Sequence, residues 1–179
     1  MSEPTYTSTT ERVQTWLDGR TLHIRFNNPA RHNALSVDMW EAVPPLLAQA
    51  QDDDRVRLVV FSGAGDKAFV SGADITQFED MRAAKEAVAY YEKMAETTLM
   101  GIADFPKPTL ACIRGYCIGG GVNVAISCDI RIAATDSVNQ GVPVLELSRS
   151  SAVARSLADL VELITARRAP EVNKGLFDR

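Results

Sequence analysis

Three consecutive glycines, Gly119-Gly120-Gly121, stand where a short apolar helix is expected to begin, shortly after Gly115. The first N–H groups of a helix have no partner within it, and glycine leaves them unshielded by a side chain. The helix dipole adds partial positive charge at the same point. Such a corner can hold a carboxylate, a phosphate or an oxyanion. A second turn, Ser71-Gly72-Ala73-Asp74, follows an extended segment and offers another free N–H at Ala73. Two backbone donors converging on one oxygen stabilise an enolate or a tetrahedral oxyanion. A glycine run by itself equally serves close packing of a helix on a sheet, so it is the pair of turns that gives the signal.

The elements that must position these turns follow from the hydrophobic pattern. Leu22, Ile24 and Phe26 alternate with polar neighbours as in a half-buried strand, which Asn27-Asn28-Pro29 stops. Ser36 is a suitable N-cap for a helix through Gln51, with Val37, Trp40, Val43 and Leu47 at helical spacing. Pro44-Pro45 should kink or break that helix. Arg55 to Ser62 reads as a strand covered on both faces. Gly63-Ala64-Gly65-Asp66 is a turn before the extended segment Ala68 to Asp74. From about Asp80 to Ala103, Val88, Tyr91, Ala95, Leu99 and Ile102 mark an amphipathic helix, ended by Phe105-Pro106-Lys107-Pro108. Strands at Thr109 to Arg114 and Asp129 to Ala133 flank the glycine corner. Val153, Leu157, Leu160, Val161 and Ile164 would form one more helix, broken at Pro170. Strands alternating with helices imply an α/β layered fold.

Composition narrows the function classes. The 179 residues suit one domain with a real core, at 46% hydrophobic and 23% charged residues. A net charge of −4 argues against a nucleic-acid partner, which needs a basic face. No run approaches the ~18 apolar residues of a membrane span. Residues 1–12 read as a polar leader without the apolar stretch of a signal peptide, and a cytoplasmic location is the expectation. Cys112, Cys117 and Cys128 have no metal-type spacing and are expected to be buried, reduced thiols. No metal site is expected.

Four segments then carry a resemblance: Asn28-Pro29-Ala30-Arg31-His32-Asn33-Ala34-Leu35, Ala68 to Ile75, Gly115 to Gly121, and Cys128 to Ala133. In this order and spacing they resemble the enoyl-CoA hydratase/isomerase (crotonase) superfamily, over roughly Val13 to Pro143. The resemblance implies an α/β, crotonase-like (ClpP/crotonase) fold of repeated ββα units around a spiral core, usually assembled as a homotrimer or a hexamer. It implies an acyl-CoA ligand in fatty acid metabolism, with lyase or isomerase chemistry and no cofactor beyond the coenzyme A of the substrate. Its thioester oxygen would sit between the amides of Ala73 and Gly120. Arg31, Ala34 and Leu35 would lie along the CoA, with Gly72, Asp74, Ile75 and Gly119 completing the binding set. Arg31 would either face a CoA phosphate or be a solvated turn residue.

The sequence departs from this pattern where the family carries its two catalytic glutamates. One position is Asn123 and the other, after Gly141-Val142-Pro143, is Val144. Neither side chain accepts a proton at neutral pH, so a two-glutamate hydratase mechanism is doubtful. Glu146 is a weak candidate for a single base, and an exposed carboxylate is the commoner reading. His23 and His32 have no nucleophile to activate. Residues 13–143 are read as the core domain, and 144–179 as an atypical, short or discontinuous C-terminal segment. The alternative is a catalytically silent acyl-CoA-binding homologue or oligomer subunit. A dinucleotide-binding reading of Gly63-Ala64-Gly65-Asp66-Lys67-Ala68 needs a helix to start in that turn, whereas an extended segment follows. No Gly-Lys-Ser/Thr follows a glycine run, which removes a phosphate-binding P-loop.

Overall fold

The computed structural model describes residues 6–74 and 85–133. Strands β1 (Val13–Asp18) and β2 (Thr21–Phe26) form an antiparallel hairpin, closed by Gly19 at φ +56° and Arg20. Helix α1 (Val37–Asp52) leads to β3 (Leu58–Gly63) and the short β4 (Ala68–Val70). Helix α2 (Lys85–Ala103) is followed by β5 (Thr109–Ile113), β6 (Tyr116–Cys117), α3 (Gly120–Ser127) and β7 (Ile130–Ala133). Two strands and a helix thus recur three times before β7, the repeat that the resemblance implies. Five strands pair in the order β1-β2-β3-β5-β7, parallel from β2 onward, while β4 and β6 form a separate parallel pair.

Register decides what each face of the sheet does. Leu22 lies opposite Val59, Ile24 opposite Phe61, and Phe61 opposite Ala111, so these side chains share one face. Met39, Trp40, Val43, Leu46 and Leu47 of α1 close over it in the main core. Burying each large side chain there contributes about 1.5–3 kcal/mol. The other face carries Leu58, Val60 and Leu110, with Ile130 and Ile132 packed against them. This explains the apolar run in β3, because an interior parallel strand meets apolar neighbours on both sides. Toward the β1 edge that face turns polar. There the Trp16 and His23 rings stack 4.6 Å apart, and the Arg25 guanidinium lies 4.4 Å from the Trp16 ring centre.

Helix α1 is not broken at its proline pair, which corrects that half of the expectation. It runs unbroken from Val37 to Asp52 with Pro44 and Pro45 inside it. Proline at 44 removes the N–H that would bond the Trp40 carbonyl four residues back. The Thr98 hydroxyl of α2 donates to that carbonyl instead, at 2.8 Å within the core. At the far end of α1 the Lys107 ammonium donates to the carbonyls of Ala50 (2.7 Å) and Asp53 (2.8 Å), where cation and helix dipole suit one another. Ser36 is the N-cap residue, although its hydroxyl bonds the Asp38 carboxylate rather than a backbone N–H.

The thiols need a second correction. All three cysteines are free, but Cys112 is exposed, Cys117 half-buried and only Cys128 buried. On β5 the alternation turns Ala111 into the core and Cys112 outward, past the end of the Leu58–Val60–Leu110 cluster. Burial pushes the Cys128 thiol up to about 12. Within the polar leader, Tyr6 is buried and its hydroxyl donates to Asp53 at 2.9 Å. Strand β4, not a helix, follows the Gly63 turn, which excludes the dinucleotide fingerprint. The helix expected around Val153 to Ile164, and the first residues of the one expected from Asp80, lie outside the described residues. Among those residues no helix is long and apolar enough to cross a membrane.

Candidate functional site

The loop after β2 is tied by one side chain. His32 and Asn33 both adopt positive φ, at 52° and 56°. Asn33 is fully buried. Its amide nitrogen donates to the Ala64 and Ala68 carbonyls at 2.8 Å each, and its oxygen accepts from the Asn28 N–H at 3.0 Å. These bonds offset the cost of left-handed backbone, which Asn tolerates better than most residues. The loop thereby delivers Leu35 to a fixed place beside the turn after β4.

There the two segments run in parallel. The Leu35 N–H donates to Gly72 O at 2.8 Å, and the Asp74 N–H donates to Leu35 O at 2.9 Å, so Leu35 bridges Ala73. In this pattern the Ala73 N–H faces away from Leu35. Among the described residues it has no backbone acceptor. Ser71 is anchored on the first loop by its N–H to His32 O and its hydroxyl to Arg31 O.

The glycine run meets this turn from the other side. The Ile118 N–H donates to Val70 O at 3.0 Å, and Gly119 follows at φ +53° as the N-cap of α3. A Cβ on Gly121 would lie 2.3 Å from Val70 O, so only glycine lets α3 start this close to β4. A Cβ on Gly119 would lie 3.5 Å from Gly72 Cα, and one on Gly120 3.9 Å from Gly72 C. Gly72 C is bonded to the Ala73 nitrogen. The two turns therefore lie side by side at Gly72–Ala73 and Gly119–Gly120, with room for no more than one carbon between them. The Gly121 and Asn123 N–H groups bond Ile118 O and Gly119 O, whereas the Gly120 N–H has no backbone acceptor among the described residues.

Behind this corner stand Leu35 and two residues, Trp40 and Tyr91, that the sequence did not single out for the site. The same Cβ on Gly120 would lie 3.4 Å from Trp40 Cζ2 and 3.5 Å from Leu35 Cδ1. The Tyr91 hydroxyl of α2 donates to Leu35 O at 3.3 Å, and its ring meets Trp40 edge-on at 6.4 Å. Burial raises the Tyr91 hydroxyl above its ordinary range, and the Asp74 carboxylate adds to this against an opposing effect of the Trp40 N–H. It is thus protonated at neutral pH. The helical spacing of Tyr91 gave its burial, but nothing local shows what its hydroxyl reaches.

The other expected residues are spread around the corner. Asp74 and Ala34 are buried, while Arg31 is exposed in the short 3-10 turn Pro29–Arg31. Beside that turn is a cleft lined by Pro29, His32, Asn33, Gly65, Asp66 and Lys67 among others. Asn123 is exposed on the first turn of α3. His23 lies on the outer sheet face, stacked on Trp16, and His32 meets Tyr116 edge-on at 5.8 Å. Ile75, Val144 and Glu146 lie outside the described residues.

Comparison with known proteins gives the family of the chain. The chain is 30% identical over 120 residues to a short-chain-enoyl-CoA hydratase of Clostridium acetobutylicum, covering 67% of this chain and 45% of that protein. It is 31% identical over 139 residues to a peroxisomal Delta(3,5)-Delta(2,4)-dienoyl-CoA isomerase of Arabidopsis thaliana, covering 72% and 50%. A crystal structure of an enoyl-CoA hydratase/isomerase family protein from Hyphomonas neptunium superimposes with a TM-score of 0.67 at 38% identity, over 72% of this chain and 49% of that one. The chain spans about half the length of the curated relatives it matches. Its fold is crotonase-like, and the profile of the enoyl-CoA hydratase/isomerase family matches residues 19–147. The chain belongs to that family.

Proposed function

We propose that the chain processes acyl-CoA thioesters, with the Ala73 and Gly120 amides facing the thioester oxygen as negative charge develops on it. The observation that carries this reading is the contact between two turns from separate ββα repeats, each presenting an amide without a backbone acceptor among the described residues. Removing a proton alpha to a thioester, or adding water across an enoyl thioester, places charge on that oxygen. Two fixed donors oppose it without reorganising, and losing one donor of this kind costs about 3–4 kcal/mol of transition-state stabilisation. Arg31, Ala34, Leu35, Gly72, Asp74 and Gly119 would border the ligand, and the Lys67 cleft would receive the anionic end of coenzyme A. A homotrimer or hexamer in the cytoplasm, with no cofactor of its own, completes the proposal.

Asn123 stands where a hydratase would carry a base, and its amide accepts no proton. This favours enolate chemistry with an altered acid–base set over strict hydration. It equally supports a silent acyl-CoA-binding homologue as the second reading. Enoyl absorbance of crotonyl-CoA, followed with the chain as it stands and with Asn123→Glu, tests the acid–base part. Silence followed by activity in the variant is expected. Hydration by the unaltered chain would overturn the role given to Asn123, and no calorimetric binding of crotonyl-CoA would overturn the acyl-CoA reading. Exchange of alpha deuterium from a bound acyl-CoA separates an enzyme from a silent binder.

A further inference from the structure

We infer that Tyr91 is a positioning residue for the Ala73 amide, acting through the Leu35 carbonyl; this rests on the acyl-CoA reading above. Leu35 holds the Ala73 turn by two backbone bonds, donating to Gly72 O at 2.8 Å and accepting from the Asp74 N–H at 2.9 Å. A carbonyl oxygen has two lone pairs. The second is met by the Tyr91 hydroxyl at 3.3 Å. The direction of the Leu35 carbonyl is therefore set from both sides, and with it that of the Ala73–Asp74 peptide, while the Leu35 N–H holds the Gly72–Ala73 peptide that carries the Ala73 N–H. Leu35 thus clamps both peptide units flanking Ala73, and their rotation decides where the Ala73 N–H aims, away from Leu35.

The hydroxyl is itself held. Trp40 meets the Tyr91 ring edge-on and lies beside Gly120, so one aromatic pair joins the Leu35 carbonyl to the start of α3. The Trp40 indole N–H is buried with no acceptor at hydrogen-bonding distance. The indole N–H also acts on the Tyr91 hydroxyl, partly offsetting the upward push of burial there. A separation of 3.3 Å is long for a hydroxyl donor. Bonds around a site often tighten only when the ligand is present. Charge drawn to the Ala73 N–H would pull its peptide toward the ligand, and Tyr91 would follow through Leu35. Tyr91 does not touch the reacting atoms, and its contribution is the aim of a donor.

The test is the infrared carbonyl stretch of crotonyl-CoA, carbon-13 labelled at the thioester, bound to the chain and to Tyr91→Phe. A polarised carbonyl absorbs at lower frequency. We expect a downward shift with the parent chain, a return most of the way to the solution value in Tyr91→Phe, and unchanged affinity for coenzyme A itself. Alpha-deuterium exchange of a bound saturated acyl-CoA should slow about tenfold, as for a donor misplaced rather than removed. Should Tyr91→Phe fold poorly, a difluorotyrosine at position 91 keeps the shape and strengthens the donor, and it should move the stretch further down. An equal shift in parent, Phe and fluorinated chains would overturn the inference while leaving the acyl-CoA reading intact. Binding of crotonyl-CoA by the parent chain without any shift would overturn the inference together with the role given to the Ala73 and Gly120 amides, and would leave a silent acyl-CoA binder.

Discussion

His23 shows how one side chain can set an acid limit on the fold. It lies stacked on Trp16, on the same polar sheet face as Arg25, and burial lowers its pKa below the ordinary 6.5, with Arg25 adding to this and Asp18 opposing. A base whose folded pKa is depressed favours folding in its neutral form. Its contribution is whole above the unfolded value near 6.5 and declines as pH falls through that value toward the folded one. Urea midpoints should therefore fall between pH 7.5 and 5.5, and His23→Phe, which keeps a ring on Trp16, should flatten that slope. An equal slope in both chains would show that another group titrates there. Asp53 is separable, since Arg55 holds its carboxyl below the usual range and its contribution is lost only as pH falls below about 4. Residues of this scale were unevenly legible. Asn33 stood in a recognisable run, whereas Tyr91 gave only its helical spacing, because its partner Leu35 is 56 positions away.

Helix α1 carries a flaw in its own sequence that a second helix repairs. Pattern rules count the N–H that Pro44 lacks, but they cannot see a hydroxyl 58 positions beyond Trp40 that takes its place. Thr98→Val would leave the buried Trp40 carbonyl without that bond, at about 1–3 kcal/mol. Pro44→Ala restores a backbone donor to the same carbonyl. In that background Thr98→Val should cost measurably less, and a double-mutant cycle in urea reads the coupling. Additive costs would mean that Thr98 acts through packing alone. Strand β1 escaped the sequence reading for a related reason. Gln14, Thr15 and Trp16 do not alternate cleanly, because one face of β1 packs on α1 while Trp16 pairs with His23 on the other. The Gly19-Arg20 pair between Asp18 and Thr21 was the available signal, a two-residue hairpin turn with glycine first.

At the scale of the whole molecule, the candidate site exists because two ββα repeats place their turns against each other. The four matching segments made that site legible as a list of residues. They could not show that its two halves touch at Gly72 and Gly120, nor that Leu35 and Trp40 form the wall between α1 and the corner. Contact between repeats depends on the approach of α3 to β4, which is closest at Gly121. A methyl there would enter the space of Val70 O, and that oxygen also accepts the Ile118 N–H that leads into the glycine run. Backbone cannot yield as a flexible side chain does, so Gly121→Ala should cost about 2–3 kcal/mol in urea unfolding. The same displacement moves the Gly120 amide away from the Ala73 amide. In any fraction that stays folded, the carbonyl stretch of bound crotonyl-CoA should return to its solution value. A destabilised variant that still polarises the thioester fully would mean that Gly121 serves packing alone, with the second donor supplied from elsewhere than the start of α3.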